Sequence, residues 1–117
     1  MYPKWPSEPE ERAKLFRQNV SSELERLEWT RSAAKHRVSK LRIRHALERC
    51  ALVLGEDPPD HSAGRDRRWI FLGEDQEGIA LEVIAVENDE GKLLIIHAME
   101  MRRRYRRVYR EVRRWTQ

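Results

Sequence analysis

The residues best suited to chemistry lie near the C-terminal end of the chain. Residues 101–117 contain eight arginines and one glutamate, a net charge of +7, and His97 lies shortly before them. Arginine binds phosphate oxygens through two parallel N–H groups, so a cluster of arginine alone indicates an anionic partner, nucleic acid before a membrane surface. Histidine exchanges protons near neutral pH, so His97 is a candidate acid or base. A structural histidine whose ring N–H donates a hydrogen bond to a backbone carbonyl at the sheet edge would fit the same position.

Other kinds of site have little support in the sequence. The four histidines are far apart along the chain, and a single cysteine cannot complete a zinc knuckle, so no metal is expected. The five glycines are isolated, which argues against a loop that cradles nucleotide phosphates. No serine lies in a nucleophile motif. We therefore expect a site that works without a metal or a cofactor.

Length and composition predict one small domain. The chain has 117 residues, of which 26 are Leu, Ile, Val or Phe, just above the fraction below which high charge predicts disorder. No apolar run is long enough to span a membrane, and the first residues do not resemble a signal peptide. We therefore expect a cytoplasmic protein with no membrane contact. Cys50 lies on an apolar helix face and is interpreted as a buried hydrophobic residue.

The first half of the chain predicts helices around one short strand. Apolar residues at intervals of three and four predict a helix over residues 8–27, with Ser7 as its N-cap and Glu10 completing a capping box. This helix could pack on the domain, on a second copy of the chain or on a partner. A short strand is expected around Trp29, and a second long helix begins after Ser39, with a helical segment between them.

The second half predicts strands followed by a basic helix. In the last strand, simple alternation would place His97 on the same face as Ile95. Beyond this strand, apolar residues that recur at intervals of three and four predict a helix whose other side is mostly arginine. The expected fold class is α+β, an antiparallel sheet of four to five strands packed with helices. The candidate strands are 51–54, 68–72, 79–86 and 92–99.

Four motifs follow one another in an order that resembles a known family. They are KHRVS (35–39), RRWIFLG (67–73), LEVIAVENDEGKLLIIHAM (81–99) and MRRRY (101–105). With the tryptophan at position 29, this succession is similar to the BrnT-like toxins of the RelE/ParE superfamily, small bacterial ribonucleases encoded beside an antitoxin. The resemblance implies a RelE-like toxin domain over residues 28–117, preceded by an N-terminal tail and helical extension over residues 1–27.

The resemblance implies metal-independent cleavage of RNA and inhibition of translation. Such cleavage needs activation of a 2′-hydroxyl, a cation for the charge that grows on phosphorus, and a donor for the departing 5′-oxygen. Arg68 and Arg102 would supply the cations, and His97 or His36 would act as base or acid. The substrate would be RNA, on the ribosome or free.

The remaining candidate residues would hold the RNA. Tyr105 would orient or stack a base, and Lys35 would hold phosphate or lower a neighbouring pKa. The candidate catalytic residues are thus Lys35, His36, Arg68, His97, Arg102 and Tyr105. The arginines expected to bind RNA are Arg103, Arg104, Arg106, Arg107 and Arg110.

Two departures from the family pattern keep other functions open. Arg37 stands where the family has the glycine of Lys-His-Gly, and Met99 stands where many relatives carry an arginine, which leaves Arg102 to replace it. The first hypothesis is the ribonuclease toxin, whose partner would be an acidic antitoxin. The second is a non-catalytic module that binds RNA or DNA. The third is an interaction protein whose basic helix docks an acidic partner, with the N-terminal helix mediating assembly, for example as a homodimer.

Overall fold

A computed structural model describes residues 5–25, 27–56, 67–87 and 92–116 of the chain. The predicted α+β class is confirmed. Most of the predicted loops at 56–66 and 87–91 lie outside the described residues. The elements are α1 (Pro9–Gln18), α2 (Val20–Glu25), β1 (Glu28–Trp29), a 3-10 helix (Arg31–Ala34), α3 (Lys40–Glu48), β2 (Leu52–Glu56), β3 (Arg68–Glu74), β4 (Ala80–Glu87), β5 (Leu93–Glu100) and α4 (Arg103–Thr116).

The five strands form one mixed sheet in the order β1-β5-β4-β3-β2. Strands β2 to β5 pair antiparallel, as predicted. The prediction of an antiparallel sheet is wrong for β1, which runs parallel to β5 and pairs Trp29 with Ile95. A parallel pair needs a long connection. Here α3 and three strands separate the two partners along the chain.

The predicted helix over residues 8–27 is wrong in its extent. Helix α1 ends at Gln18 and α2 begins at Val20, with Asn19 between them in a non-helical conformation. The side-chain amide of Asn19 donates a hydrogen bond of 3.0 Å to the carbonyl of Leu15. Such a local bond from asparagine competes with the backbone bonds that would continue the helix.

The two predicted N-caps have different outcomes. Ser39 caps α3 as predicted, because its hydroxyl oxygen accepts a 3.2 Å hydrogen bond from the backbone N–H of Arg42. Ser7 does not cap α1; the N-cap position belongs to Glu8. Pro9 follows it in the first turn, where a missing backbone N–H costs no helical hydrogen bond.

The sheet carries helices on both faces. On the first face, α1 and α3 pack against a first cluster of buried residues that includes Phe16, Ile43 and Phe71. On the second face, α4 packs against strands β2, β3 and β4. Because successive residues of a strand point to opposite faces of the sheet, the same strands contribute side chains to both clusters. The second cluster consists of Leu52, Ile70, Leu72, Ile84, Met101, Tyr105, Tyr109 and Val112.

Helix α1 packs on this domain, which is one of the three locations that its apolar stripe left open. Ala13 and Phe16 are buried, and the ring of Phe16 lies 4.9 Å from that of Phe71 between centroids. Arg12 of the same helix donates a 2.9 Å hydrogen bond to the carbonyl of Val53 in β2. Within the described residues, no helix is long and apolar enough to cross a membrane.

The contact between α3 and β3 depends on a glycine. A Cβ at Gly73 would lie 2.2 Å from the carbonyl oxygen of Ala46 and 3.0 Å from the Cα of Cys50. Cys50 is fully buried, as predicted, and burial raises the pKa of its thiol to about 12. The helix can therefore approach this strand closely only where no side chain intervenes.

We expect Gly73→Ala to lower the free energy of unfolding by about 1–3 kcal/mol, because the added methyl group overlaps backbone atoms that cannot move aside. Urea denaturation would measure the change. Leu41→Ala is the control: Leu41 is 63% exposed, and surface substitutions usually change stability by less than about 0.5 kcal/mol. Equal midpoints for Gly73→Ala and the unaltered protein would contradict the close packing of α3 on β3.

Candidate active site and nucleic-acid interface

A β-bulge in β5 decides which way His97 faces. The register pairs Ala85 with Ile95 and Ile84 with His97, so Ile96 is an extra residue without a partner on β4. Ile84 belongs to the second cluster, whereas Ile95 belongs to the first. The predicted shared face of Ile95 and His97 is therefore wrong, because one extra residue reverses the alternation of a strand. His97 lies on the face that α4 covers.

The centre of the site is a buried glutamate that the sequence analysis did not select. Glu82 lies in the middle of β4, is 0% exposed, and has four polar contacts, to Arg102 and His97. Its Oε1 accepts from the backbone N–H of Arg102 at 2.7 Å. Its Oε2 accepts from Nε of Arg102 at 2.9 Å, forms an ion pair with Nη2 of Arg102 at 2.7 Å, and contacts Nε2 of His97 at 3.1 Å. Three different segments of the fold thus meet at one carboxylate.

Arg102 is held by this carboxylate but remains open to solvent. Its side chain is 40% exposed, and the hydrogen bond to Glu82 raises the pKa of the guanidinium further above its usual value. Nη1 is not used in the contacts to Glu82. A guanidinium fixed at one edge and exposed at the other is suited to receive a phosphate.

His97 is partly buried beside Arg102. Its side chain is 21% exposed, and burial lowers the pKa of the imidazole, while the Glu82 carboxylate opposes this shift and Arg102 adds to it. The ring is therefore neutral near pH 7. A neutral imidazole next to an exposed guanidinium combines a proton acceptor with a cation, the two groups that attack on a phosphodiester requires.

His36 joins the site from the loop that follows the 3-10 helix. Its ring packs edge-on against His97, with 5.2 Å between ring centroids. His36 and its neighbour Lys35 are exposed. Arg37, the next residue, has a φ of 57°, the left-handed region that glycine adopts most easily. The fold thus brings together three of the predicted catalytic residues, His36, His97 and Arg102.

Arg68 lies on the same face as His97 but at some distance. Ile70, Ile84 and His97 lie side by side on three neighbouring strands. Arg68 pairs with Val86, two residues farther along these strands. From the spacing of strands and residues, the Cα atoms of Arg68 and His97 are roughly 12 Å apart. A long substrate could contact both residues, whereas a single phosphate could not.

Tyr105 is the predicted site residue with the least exposure. It is 6% exposed as part of the second cluster, and burial raises the pKa of its hydroxyl. The guanidinium carbons of Arg104 and Arg102 lie 4.9 and 5.9 Å from its ring centroid. Arg104 also contacts Glu56 at 3.6 Å. Tyr105 therefore anchors α4 to the sheet and supports the two arginines that flank it.

The other predicted RNA-binding arginines form a stripe along the exposed side of α4. They recur at intervals of three and four, opposite the buried tyrosines, and together they are called the arginine stripe: Arg103, Arg106, Arg107 and Arg110. The stripe extends about 10 Å along the helix axis. Arg107 contacts Glu111 at 3.6 Å, and among the described residues no ion pair involves the other three.

Elsewhere, the described part of the chain has a groove but no cluster of potential metal ligands. Within the described ranges, no group of three or more His, Cys, Asp or Glu side chains could hold a metal ion. A groove of about 790 Å³ lies between α2 and α3, and its lining includes none of the candidate site residues. Its lining includes Leu24, Trp29 and Leu41.

The sequence contained one signal for Glu82. It is the only charged residue within the apolar run IALEVIAV (79–86), which was predicted to be a strand. A carboxylate in a buried strand needs partners, because burying an unpaired charge costs several kcal/mol. The pattern indicates that a partner exists, but the identity of Arg102 and His97 as partners depends on the bulge and on the turn into α4.

Comparison with known proteins identifies no relative: no family model, no curated protein and no solved structure matches the chain.

The lowered pKa of His97 predicts a pH dependence of stability. An unfolded histidine binds a proton near pH 6.5, whereas folded His97 resists protonation, so below that pH the unfolded state binds more protons. The contribution of neutral His97 to the free energy of unfolding is fully present above pH 6.5, and it is lost as the pH falls below that value. Between about pH 7.5 and 5.5, the free energy of unfolding should fall more steeply for the unaltered protein than for His97→Gln. Parallel curves from urea denaturation would contradict this expectation.

Proposed function

We propose that this protein is a metal-independent ribonuclease that cleaves RNA and inhibits translation as the toxin of a bacterial toxin–antitoxin pair. The observation that carries the proposal is the contact of His97 and Arg102 with the same buried carboxylate, at the point where the chain enters a helix with an arginine stripe. A proton acceptor and a phosphate-binding cation are thereby held side by side, next to a surface suited to a polyanion.

Each chemical requirement has a candidate group at this place. Neutral His97 accepts the proton of the 2′-hydroxyl, and the free edge of Arg102 contacts the phosphate and the charge that develops on it. His36, exposed against the ring of His97, donates a proton to the departing 5′-oxygen. Lys35 and Arg68 lie farther out and bind neighbouring phosphates of the RNA.

The backbone at Arg37 has an unusual conformation at a position where the BrnT-like pattern has glycine. The family pattern has a glycine there, and Arg37 has a φ of 57°, a conformation that costs an ordinary residue about 1–2 kcal/mol and a glycine nothing. The loop in this conformation places His36 against His97.

The partner of such a toxin is an acidic antitoxin. The arginine stripe carries four guanidinium groups, and acidic side chains laid over it would neutralise these charges. A second copy of the chain would present another basic helix and would be repelled at this surface. The proposal therefore places the antitoxin, rather than a homodimer contact, on α4.

A second candidate function is binding of RNA or DNA without catalysis. The observation that favours it is the exposure of the arginine stripe, which needs no catalytic groups to bind a polyanion. Met99 also favours this function, because the arginine that many family members carry at that position is absent. The two functions differ in whether new RNA ends appear and in the need for His97.

Expression in a bacterial host followed by mapping of RNA 5′ ends tests the ribonuclease. We expect growth arrest and new position-specific ends with the unaltered protein. His97→Ala and Arg102→Ala should lower the cleavage rate by about 10²–10³, because each removes a group that acts in the transition state. Arg44→Ala, an exposed arginine on α3 at the first face, is the matched control and should cleave normally. Normal growth without new ends would contradict the proposal.

Salt dependence tests the arginine stripe. We compare Arg103→Gln/Arg106→Gln/Arg110→Gln with Arg44→Gln, both in a His97→Ala background that prevents cleavage. For labelled single-stranded RNA, the slope of log affinity against log salt should fall by about 2 for the triple variant, since each phosphate contact contributes roughly 0.7. Fluorescence anisotropy gives both slopes. An unchanged slope would place the RNA on another surface.

A further inference from the structure

The hydrogen bond between His97 and Glu82 determines which nitrogen of the imidazole carries the proton. A carboxylate only accepts hydrogen bonds, and Glu82 already accepts two from Arg102 and forms an ion-pair contact with its Nη2. The nitrogen of His97 that faces it, Nε2 at 3.1 Å, must therefore be the donor. In a neutral imidazole the other nitrogen then has no hydrogen and is a free acceptor.

The second nitrogen of His97, Nδ1, is free to contact a ligand. No hydrogen bond among the described residues involves Nδ1, and this atom is absent from the buried polar atoms that lack a partner. It is therefore accessible to solvent, on the opposite side of the ring from Glu82. Arg102, whose side chain is 40% exposed, and the ring of His36, 5.2 Å away between centroids, are the other groups next to His97.

Three charged or titratable groups face His97, each from a different segment. Glu82 comes from β4, Arg102 from the turn between β5 and α4, and His36 from the loop before α3. Only Glu82 is fully buried, so its position is fixed by the sheet and by Arg102. The orientation of the ring therefore depends on Glu82 more than on the two exposed groups.

We propose that Glu82 is a positioning residue that holds His97 in the Nε2–H tautomer, so that Nδ1 is the atom that accepts the proton of the RNA 2′-hydroxyl. This inference rests on the proposed ribonuclease function and adds the atom and the residue that select it. Glu82 touches no substrate. It acts on His97 and, through the same oxygen, on Arg102.

The step balances without any other reactant. The 2′-hydroxyl proton moves to Nδ1 of His97 while the 2′-oxygen forms a bond to the adjacent phosphorus. The bond from phosphorus to the 5′-oxygen breaks, and this oxygen takes a proton from protonated His36. The products are a 2′,3′-cyclic phosphate and a 5′-hydroxyl, and exchange with water returns both rings to their starting states.

The tautomer is measured directly on the full-length, ¹⁵N-histidine-labelled protein. Two-bond ¹H–¹⁵N correlation spectra distinguish a protonated Nε2 from a protonated Nδ1, with His97→Gln used to assign the signal. We expect the Nε2–H form above the pKa of His97. An Nδ1–H form would overturn the proposal whatever the RNA assay shows, because Nδ1 could not then accept a proton.

Two variants of Glu82 separate orientation from charge. Glu82→Gln keeps an acceptor of the same size and removes the negative charge, which opposes the lowering of the His97 pKa. The pKa of His97, and with it the acid limb of the pH–rate profile, should move to lower pH. Glu82→Leu suits a buried strand but removes the acceptor, so cleavage should fall by at least about 100-fold, with His97 no longer confined to one tautomer.

The controls distinguish failure of this inference from failure of the proposed function. Glu100→Gln changes an exposed glutamate at the end of β5 and should move neither the pKa of His97 nor the profile. An acid limb that stays in place while the pKa of His97 moves would overturn the role of Nδ1. Absence of cleavage by the unaltered protein at every pH would overturn the ribonuclease itself, and the NMR spectra would still report whether Glu82 sets the tautomer.

Discussion

The burial of one carboxylate in the middle of the sheet constrains the rest of this structure. Glu82 is fully buried in a strand where every residue from Ala80 to Val86 other than Glu82 is apolar, and an ionised group in that position is tolerated only if donors satisfy it. Arg102 supplies both its backbone and its guanidinium. The backbone bond fixes the chain as it leaves β5, and so fixes where α4 begins.

The same constraint separates arginines that a carboxylate holds near the sheet from arginines on the exposed side of α4. Arg102 and Arg104 are held near the sheet by Glu82 and Glu56, and both lie against the ring of Tyr105. The arginine stripe lies on the opposite side of α4, away from these carboxylates. Exposed guanidinium groups at intervals of three and four repel one another, a cost that an anionic ligand would remove. Helix α4 thus has one side that packs against the sheet and one side suited to bind an anionic ligand.

Two backbone irregularities complete the site. The bulge at Ile96 turns His97 toward Glu82, and the left-handed residue Arg37 turns the loop so that His36 meets His97. Bulges and unusual backbone conformations are common near functional sites because they aim side chains that regular structure would direct elsewhere. Both irregularities here act on the same pair of rings.

The sequence alone determined much of the framework. Apolar periodicity and turn residues predicted α3, the strands β2 to β5 and the basic helix α4, because these patterns depend on neighbouring residues. The charge of α4 was equally visible. Lys35, His36 and Arg68 were selected from the family resemblance, and the structure shows only where they lie.

Tertiary structure decided what periodicity could not encode. The parallel pairing of β1 with β5, the break at Asn19 and the bulge at Ile96 arise from contacts between distant segments or from local hydrogen bonds that leave the apolar pattern unchanged. The sequence showed that Glu82 needed a partner, and only the folded chain showed that Arg102 and His97 are those partners. The physical reason is that a one-residue shift in register reverses the face of every side chain beyond it.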